Sequence, residues 1–360
     1  MTSAAFVLPD RPRPAELGYR MPAEWEPHAA TWVAWPHRRD DWPGKFEPIP
    51  WAYVEIVRRL HQGERVRVLA LAEQEGQARE MLGRAGVDLS QVDFNPFATD
   101  RAWTRDSGAI FVKDRGGRLA ALDWHFNAWA KYDDWHADDR VAGQMAGRLG
   151  VPCWRPARGG RRVVLEGGGI DVDGAGLLLT TEECLLSPVQ ARNPGLARGD
   201  VEEVLRDYLG VRKVLWLGRG IAGDDTHGHV DDLARFVGPG AVVAAVEEDP
   251  GDENFDPLRE NLERLRGMTD AEGRPLEVST LPMPAPLFFD GQRLPASYAN
   301  FYICNRRVLV PTFNDPNDRR ALAALAGLFP GREVVGVHAV DLVWGLGTLH
   351  CLTQQEPAGG

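Results

Sequence analysis

Hydrophobic residues recur along this chain in short alternating blocks of two kinds. Over residues 51–62 the apolar positions Val54, Ile56, Val57 and Leu60 keep helical spacing, residues 65–70 read as a strand, and 73–85 read as a second helix. Residues 200–209 are helical ahead of a strand over 213–217. Asn314-Asp315-Pro316 joins a capping side chain to a proline in the first turn, so it starts a helix that leads to Phe329 and a strand over 333–337. Two strand pairs, 109–113 with 118–122 and 298–305 with 307–312, read as hairpins, and Arg115-Gly116-Gly117 turns the first. Hairpins mixed with crossovers predict mixed sheets, not a purely parallel one. Leu149-Gly150-Val151, Leu209-Gly210-Val211 and Leu328-Phe329-Pro330-Gly331 each close a helix before a strand. That faint echo points to repeated β-and-α units around a centre, and an ordinary open α/β sheet would show something like it.

Composition narrows the class. The chain has 360 residues, 44% hydrophobic and 26% charged, enough to bury a large core as one big domain or two ordinary ones, and no linker splits it. No apolar run approaches the ~20 residues that a membrane span needs. Residues 1–20 carry Pro9, Pro12 and Pro14 among arginines and lack an apolar stretch, so they are expected to be a loose N-terminal tail and not a signal peptide. Residues 21–357 are expected to form one catalytic domain. The four cysteines are far apart with no CxxC, which fits neither a disulfide framework nor a zinc knuckle and suits a reducing cytoplasm. A net charge of −11 argues against nucleic acid or anionic membranes as partners and permits a cationic substrate.

Four motifs could carry chemistry: Trp103-Thr104-Arg105-Asp106-Ser107-Gly108 at the start of a strand, Glu166-Gly167-Gly168-Gly169, the acidic and histidine run from Gly223 to Asp232, and Trp344-Gly345-Leu346-Gly347-Thr348-Leu349-His350-Cys351. Each has a plain structural alternative. Asp106 suits a turn, the glycines a loop, and His227 and His229 a solvated segment. Free cysteines are most often small apolar packing residues, which is the simplest reading of Cys153, Cys184 and Cys304. Cys351 differs because Gly345 and Gly347 let the backbone bring it close to a ligand. A rival reading is a zinc site, since His227-x-His229-x-Asp231 resembles the metallo-β-lactamase signature. Asp232 stands where that signature has its last histidine, and His338 or His350 would have to complete the site.

Taken together and in order, Met21-Pro22-Ala23-Glu24-Trp25-Glu26-Pro27, Trp35-Pro36, Trp103 to Gly108, Phe126-Asn127-Ala128-Trp129, Glu166 to Gly169, Gly228-His229-Val230-Asp231 and His350-Cys351-Leu352-Thr353-Gln354-Gln355 resemble the agmatine deiminase family, which includes bacterial peptidyl-arginine deiminases of the Porphyromonas type. The resemblance spans nearly the whole chain. It implies the pentein fold of the guanidino-group-modifying superfamily, a single-domain, pseudo-symmetric five-bladed α/β propeller with a central active site. It also implies Cys351 as nucleophile, His229 as acid/base, Glu166 as the carboxylate that orients the histidine, and Asp106 and Asp231 as the guanidinium-binding pair. Trp103, Gly169 and Gly347 fall at substrate-contacting positions, and Asp225 falls where the family places an acid near the substrate amine. Asp232 and Thr348 replace asparagines, and Trp129-Ala130-Lys131 replaces a tryptophan followed by glycines. These departures are expected at the far end of the substrate.

The chemistry fits those residue types. A guanidinium is a planar fork of N–H donors that matches carboxylates. A thiol with an ordinary pKa near ~8.5 needs help to become a thiolate at neutral pH, and the bound cation can give it. The expected reaction converts agmatine and water to N-carbamoylputrescine and ammonia through a cysteine amidino-thioether, with no metal or organic cofactor. Arginine, peptidyl arginine or another alkylguanidine is the alternative substrate, with Arg105 or Lys131 available to read an α-carboxylate. A non-catalytic binder of cationic amines would need the carboxylates but not the thiol. A homo-oligomer is expected.

Overall fold

Five times along the chain an antiparallel strand pair is followed by a helix and a third strand parallel to the second. The computed structural model describes Val7, Leu8 and residues 11–360. The first unit pairs Ile110–Lys113 with Leu119–Leu122, crosses over through the helix Val141–Leu149 and returns at Cys153–Trp154. The second comprises Asp171–Val172, Leu177–Thr181, the helix Arg198–Leu209 and Lys213–Leu217. The third comprises Ala234–Gly238, Ala241–Val246, the helix Phe255–Gly267 and Glu277–Pro282. The fourth comprises Tyr302–Ile303, Arg307–Thr312, the helix Asn317–Leu328 and Glu333–His338. The fifth uses both ends of the chain. Thr353–Pro357 pairs antiparallel with His28–Ala34, the helix Ile49–Leu60 leads to the parallel strand Arg65–Leu69, and Val92–Asn95 adds a fourth strand. A parallel pair needs a crossover, and a helix supplies it each time. The result is the pseudo-symmetric α/β ring that the resemblance implies, with mixed sheets throughout.

Local chemistry sets the element ends. Pro50 sits in the first turn of Ile49–Leu60, where its missing N–H costs nothing, and Ile49, Tyr53, Ile56, Val57 and Leu60 are buried along one side. Burying each such side chain contributes about 1.5–3 kcal/mol. Gly150 and Gly210 end their helices at φ 67°, the left-handed cap that glycine takes without strain. The third echo differs, because its helix stops at Phe329 (φ −121°) ahead of Pro330. The helix expected from Asn314 begins at Asn317, whose N–H donates to Asp315 Oδ1 at 2.8 Å.

The expected tail over residues 1–20 falls partly on residues 1–6, 9 and 10, which lie outside the described residues. Its last part is packed. Arg20 pairs with Lys113 through N–H···O bonds of 3.0 and 2.8 Å, Met21 N–H donates to Leu209 O at 2.9 Å, and Tyr19 and Met21 are buried.

Apolar side chains fill the space between helices and sheets. The middle of the ring is polar instead: Glu24, Arg105, Asp106, Glu166, Asp171, His229, Asp231, Arg235 and His350 are all buried there in mutual contact.

Candidate active site

Each unit sends one short segment, just ahead of its first strand, toward the same place. Asp106 precedes Ile110–Lys113, Glu166 precedes Asp171–Val172, His229 and Asp231 precede Ala234–Gly238, Asn300 precedes Tyr302–Ile303, and Cys351 precedes Thr353–Pro357. Residues as distant as Asp106 and Cys351 thereby become neighbours of one histidine or one another. The motif around Asp106 does not open the strand directly, as the sequence pattern indicated. It forms the one-turn helix Thr104–Ser107, and the strand starts at Ile110. Gly108 permits the turn, since a Cβ there would lie 2.5 Å from Thr104 O.

Cys351 is 7% exposed, and its Sγ lies 3.1 Å from Asn300 Nδ2 and 3.7 Å from Asp231 Oδ2. Burial, and then the charges of Asp231, Asp232 and Asp106, push its thiol well above the ordinary range. A cation placed among these groups would lower it again. Asn300 is held by Thr348 Oγ1–H, which donates to its Oδ1 at 2.7 Å, and by its own Nδ2–H, which donates to Asp232 Oδ1 at 3.0 Å. Thr348 and Asp232 therefore sit beside the nucleophile. This corrects the expectation that they read the far end of a substrate: both side chains meet the Asn300 amide that touches sulfur. Asp232 is buried next to Asp231 and Asp224, and its carboxyl is held well above the usual carboxylate range.

His229 is 1% exposed, with Nδ1 3.9 Å from Asp106 Oδ1 and 4.0 Å from Asp231 Oδ1, and with Nε2 3.8 Å from Glu166 Oε2. Burial opposes its charge, yet Asp106, Cys184 and Glu166 outweigh that and raise it well above its ordinary value. At 3.8 Å Glu166 acts on the ring through charge; its hydrogen bond goes instead to Arg192 Nε–H at 3.0 Å. Arg192 has no signature in the sequence. It is 3% exposed, donates also to Gln190 O and Thr226 O, and together with His229 overcomes the burial penalty on Glu166 to hold that carboxyl at about 2. A Cβ on Gly168 would lie 2.5 Å from His229 Nδ1, 3.0 Å from Asp106 Oδ1 and 3.1 Å from Asp231 Oδ2, whereas one on Gly169 would meet Cys184 Sγ at 3.3 Å. Gly168, rather than Gly169, is the glycine wedged among the charged groups.

The two aspartates are anchored differently. Asp106 Oδ2 accepts from Trp129 Nε1–H at 2.9 Å and Oδ1 from Gly168 N–H at 3.1 Å. Trp129 lies in a run of three left-handed residues, Ala128, Trp129 and Ala130, at φ 48°, 59° and 53°. Such a conformation costs about 1–2 kcal/mol per non-glycine residue. Asp231 Oδ2 pairs with His350 Nδ1 at 2.7 Å, His350 Nε2 with Glu24 Oε2 at 2.8 Å, and Glu24 in turn with Arg235 at 3.0 Å and Arg105 at 3.2 Å. Despite burial, His350 keeps Asp231 below the ordinary carboxylate value. Arg105 is thereby committed to the core and is not available to a substrate carboxylate.

A cavity of about 470 Å³ reaches Cys351, Asp106, Trp103 and Gly347. A Cβ on Gly347 would lie 2.7 Å from the Trp103 ring and 3.1 Å from Cys351 Cβ, so glycine is what lets the tryptophan and the thiol share this wall. Trp129, Tyr132, Asp225, Asp134, Asp40 and Asp290 also line the cavity, against Arg38 and Arg101 as the cations. The cavity is predominantly acidic, as a cationic ligand requires.

The zinc arrangement read from the sequence does not assemble. His227 has φ 64° and turns its Nε2 to Ser187 Oγ at 3.0 Å, His350 is held between Asp231 and Glu24, and His338 is exposed at its strand end. Among the described residues the group with metal-ligand spacing is Glu166, Cys184 and His229, whose donor atoms lie within 4.8 Å of one another. The Arg192 guanidinium on Glu166 opposes a cation there.

Fold and site together define a guanidine-handling centre of the deiminase type, and the sequence profile of the Porphyromonas-type peptidyl-arginine deiminase family matches residues 20–357. The chain belongs to that family. It is 39% identical to the agmatine deiminase of Pseudomonas aeruginosa (strain LESB58) over 369 aligned residues, which cover 96% of this chain and 97% of the relative. The solved agmatine deiminase of Enterococcus faecalis superposes with a TM-score of 0.89 at 37% identity, covering 96% of this chain and 98% of that one. A cysteine-to-serine variant of the C. jejuni agmatine deiminase, solved with substrate bound, gives 0.84 at 30% identity over 95% and 97% of the two chains. Among the described residues no helix is long and apolar enough to cross a membrane.

Proposed function

We propose that residues 21–357 act as one catalytic domain that hydrolyses agmatine to N-carbamoylputrescine and ammonia. The observation that carries this reading is the meeting of Cys351, His229, Asp106, Asp231 and Glu166 beside an acidic cavity that Cys351 and Asp106 line. Near-full-length similarity to agmatine deiminases supports the choice of substrate.

Asp106 and Asp231 grip the guanidinium by charged hydrogen bonds and hold its carbon against Sγ. The arriving cation offsets the carboxylates that keep Cys351 protonated, so the thiol proton leaves to solvent as substrate binds. Sulfur then bonds to the guanidinium carbon. His229, protonated in the free site, gives its proton to the departing nitrogen, the C–N bond breaks and ammonia leaves. The neutral ring takes a proton from water, whose oxygen attacks the amidino-thioether. The C–S bond breaks to give the ureido product and regenerate the thiolate, and the product's last proton passes to ammonia. Glu166, kept ionised by Arg192, holds the imidazolium charge.

The four cysteines are buried and unpaired, which supports a reducing, cytoplasmic setting. A homo-oligomer is the assembly to test by sedimentation. The decisive experiment incubates the protein separately with agmatine, arginine and a blocked arginine peptide while ammonia and ureido product are measured. Agmatine should be turned over fastest by the wild type and not at all by Cys351→Ala. Turnover by Cys351→Ala near the wild-type rate would overturn the mechanism, and preference for the peptide would overturn the substrate.

A further inference from the structure

One carboxylate in the cavity wall, that of Asp225, already has its charge answered. Asp225 Oδ1 is ion-paired with Lys131 Nζ, and Asp225 Oδ2 accepts from Tyr132 O–H at 2.7 Å. The pair is not free to drift apart at the backbone. Gln190 Nε2–H donates to the carbonyls of both Trp129 and Asp225 at 3.2 Å, clamping the two segments together. Lys131 follows the three left-handed residues whose Trp129 ring is fixed on Asp106, so its Cα is placed by the same segment that positions the guanidinium-binding carboxylate. Its side chain is 40% exposed and can swing outward, while Asp225 is 15% exposed and stays.

We propose that Lys131 determines substrate selectivity by occupying the subsite for the substrate's distal amine: its ammonium sits on Asp225, and a guanidine with a cationic tail must displace it. This rests on the agmatine-hydrolysing reading above. Two ammonium groups on one carboxylate repel each other, so the wild-type site discounts a cationic tail, is indifferent to an apolar tail, and tolerates an anionic one. An ordinary surface ion pair would alter stability slightly and leave selectivity untouched.

The test is steady-state kinetics of the wild type, Lys131→Ala and Lys131→Gln with agmatine, butylguanidine and 4-guanidinobutyrate. Both variants should lower KM for agmatine by about tenfold, equivalent to ~1.4 kcal/mol. They should leave butylguanidine within twofold in KM and kcat and raise KM for 4-guanidinobutyrate. Adding Asp225→Asn to Lys131→Ala should abolish the gain for agmatine. An agmatine KM that is unchanged or raised in both variants, or that moves in parallel with butylguanidine, overturns the proposal while leaving the deiminase reading intact. If the wild type turns over none of the three guanidines, the functional reading falls and takes this inference with it.

Discussion

Asn300 Nδ2 lies 3.1 Å from Cys351 Sγ and 3.0 Å from Asp232 Oδ1, so one amide group joins the nucleophile to a carboxyl that burial holds well above its usual range. The amide is a donor toward sulfur and stabilises the thiolate more than the thiol. Asn300→Ala removes that contact. Hydrogen bonds to charged groups contribute about 1.5–3 kcal/mol, so kcat/KM should fall on the order of 10- to 100-fold. Alkylation by iodoacetamide should slow at a given pH as the thiol titrates higher. Equal alkylation rates in variant and wild type would show that the amide does not act on sulfur.

Asp106 and Asp231 should separate in their effects on stability. Asn at either position turns one acceptor toward the substrate into a donor and should weaken guanidine binding by about tenfold or more. Only Asp231→Asn also disturbs the buried hydrogen bond to His350, which links Asp231 to Glu24. Urea unfolding should find Asp231→Asn clearly less stable than Asp106→Asn. Equal midpoints would mean that the His350 pairing contributes nothing.

The pH profile follows from two raised groups. Because the Cys351 thiol titrates above its ordinary range in the free site, kcat/KM should rise with pH as the thiolate becomes accessible on substrate binding. Because His229 is also raised, activity should fall only at alkaline pH, where the ring loses the proton it must donate. The bell should therefore be centred above neutrality. Agmatine binding should release a proton, detectable by calorimetry in buffers of different ionisation enthalpy, and Cys351→Ser should release much less. An acid-centred bell would contradict both assignments.

Arg192 should matter to folding as much as to rate. Glu166 is depressed to about 2, so its contribution to stability is present above its ordinary value of 4.5 and is lost as pH falls toward 2. Arg192→Met leaves that carboxylate buried without its partner and should cost roughly 3–5 kcal/mol at neutral pH. Glu166→Gln in the same background should recover part of it. Failure of the second change to recover any stability would mean that the arginine works through Gln190 and Thr226 alone.

Much of this was legible in the residues. Helix and strand positions emerged within a few residues because each crossover helix buries an apolar stripe, as Tyr53, Val57 and Leu60 do, and because Gly150 and Gly210 mark helix ends. The ring as a whole was not readable from periodicity; only the ordered motifs implied it. Arg192, Asn300 and Glu24 belong to the centre through contacts with residues 26 to 326 positions away, and spacing along a chain carries no trace of such pairings. Asn300 did have one available signal: it stands two residues ahead of its unit's first strand, the place Cys351 holds in the next unit. Lys131 was visible as a departure from the family pattern, but its meaning depended on seeing its ammonium on Asp225.

The pairing of Thr353–Pro357 with His28–Ala34 has a consequence for the order in which the protein comes to life. Asp106, Glu166, His229 and Asp231 all leave the ribosome well before Cys351, whose position depends on a strand that must find a partner more than three hundred residues upstream. Such a distant contact closes slowly compared with the local hairpins. A nascent or partly folded chain thus carries the substrate-gripping carboxylates without the sulfur. Catalysis begins only when the first and last strands have met.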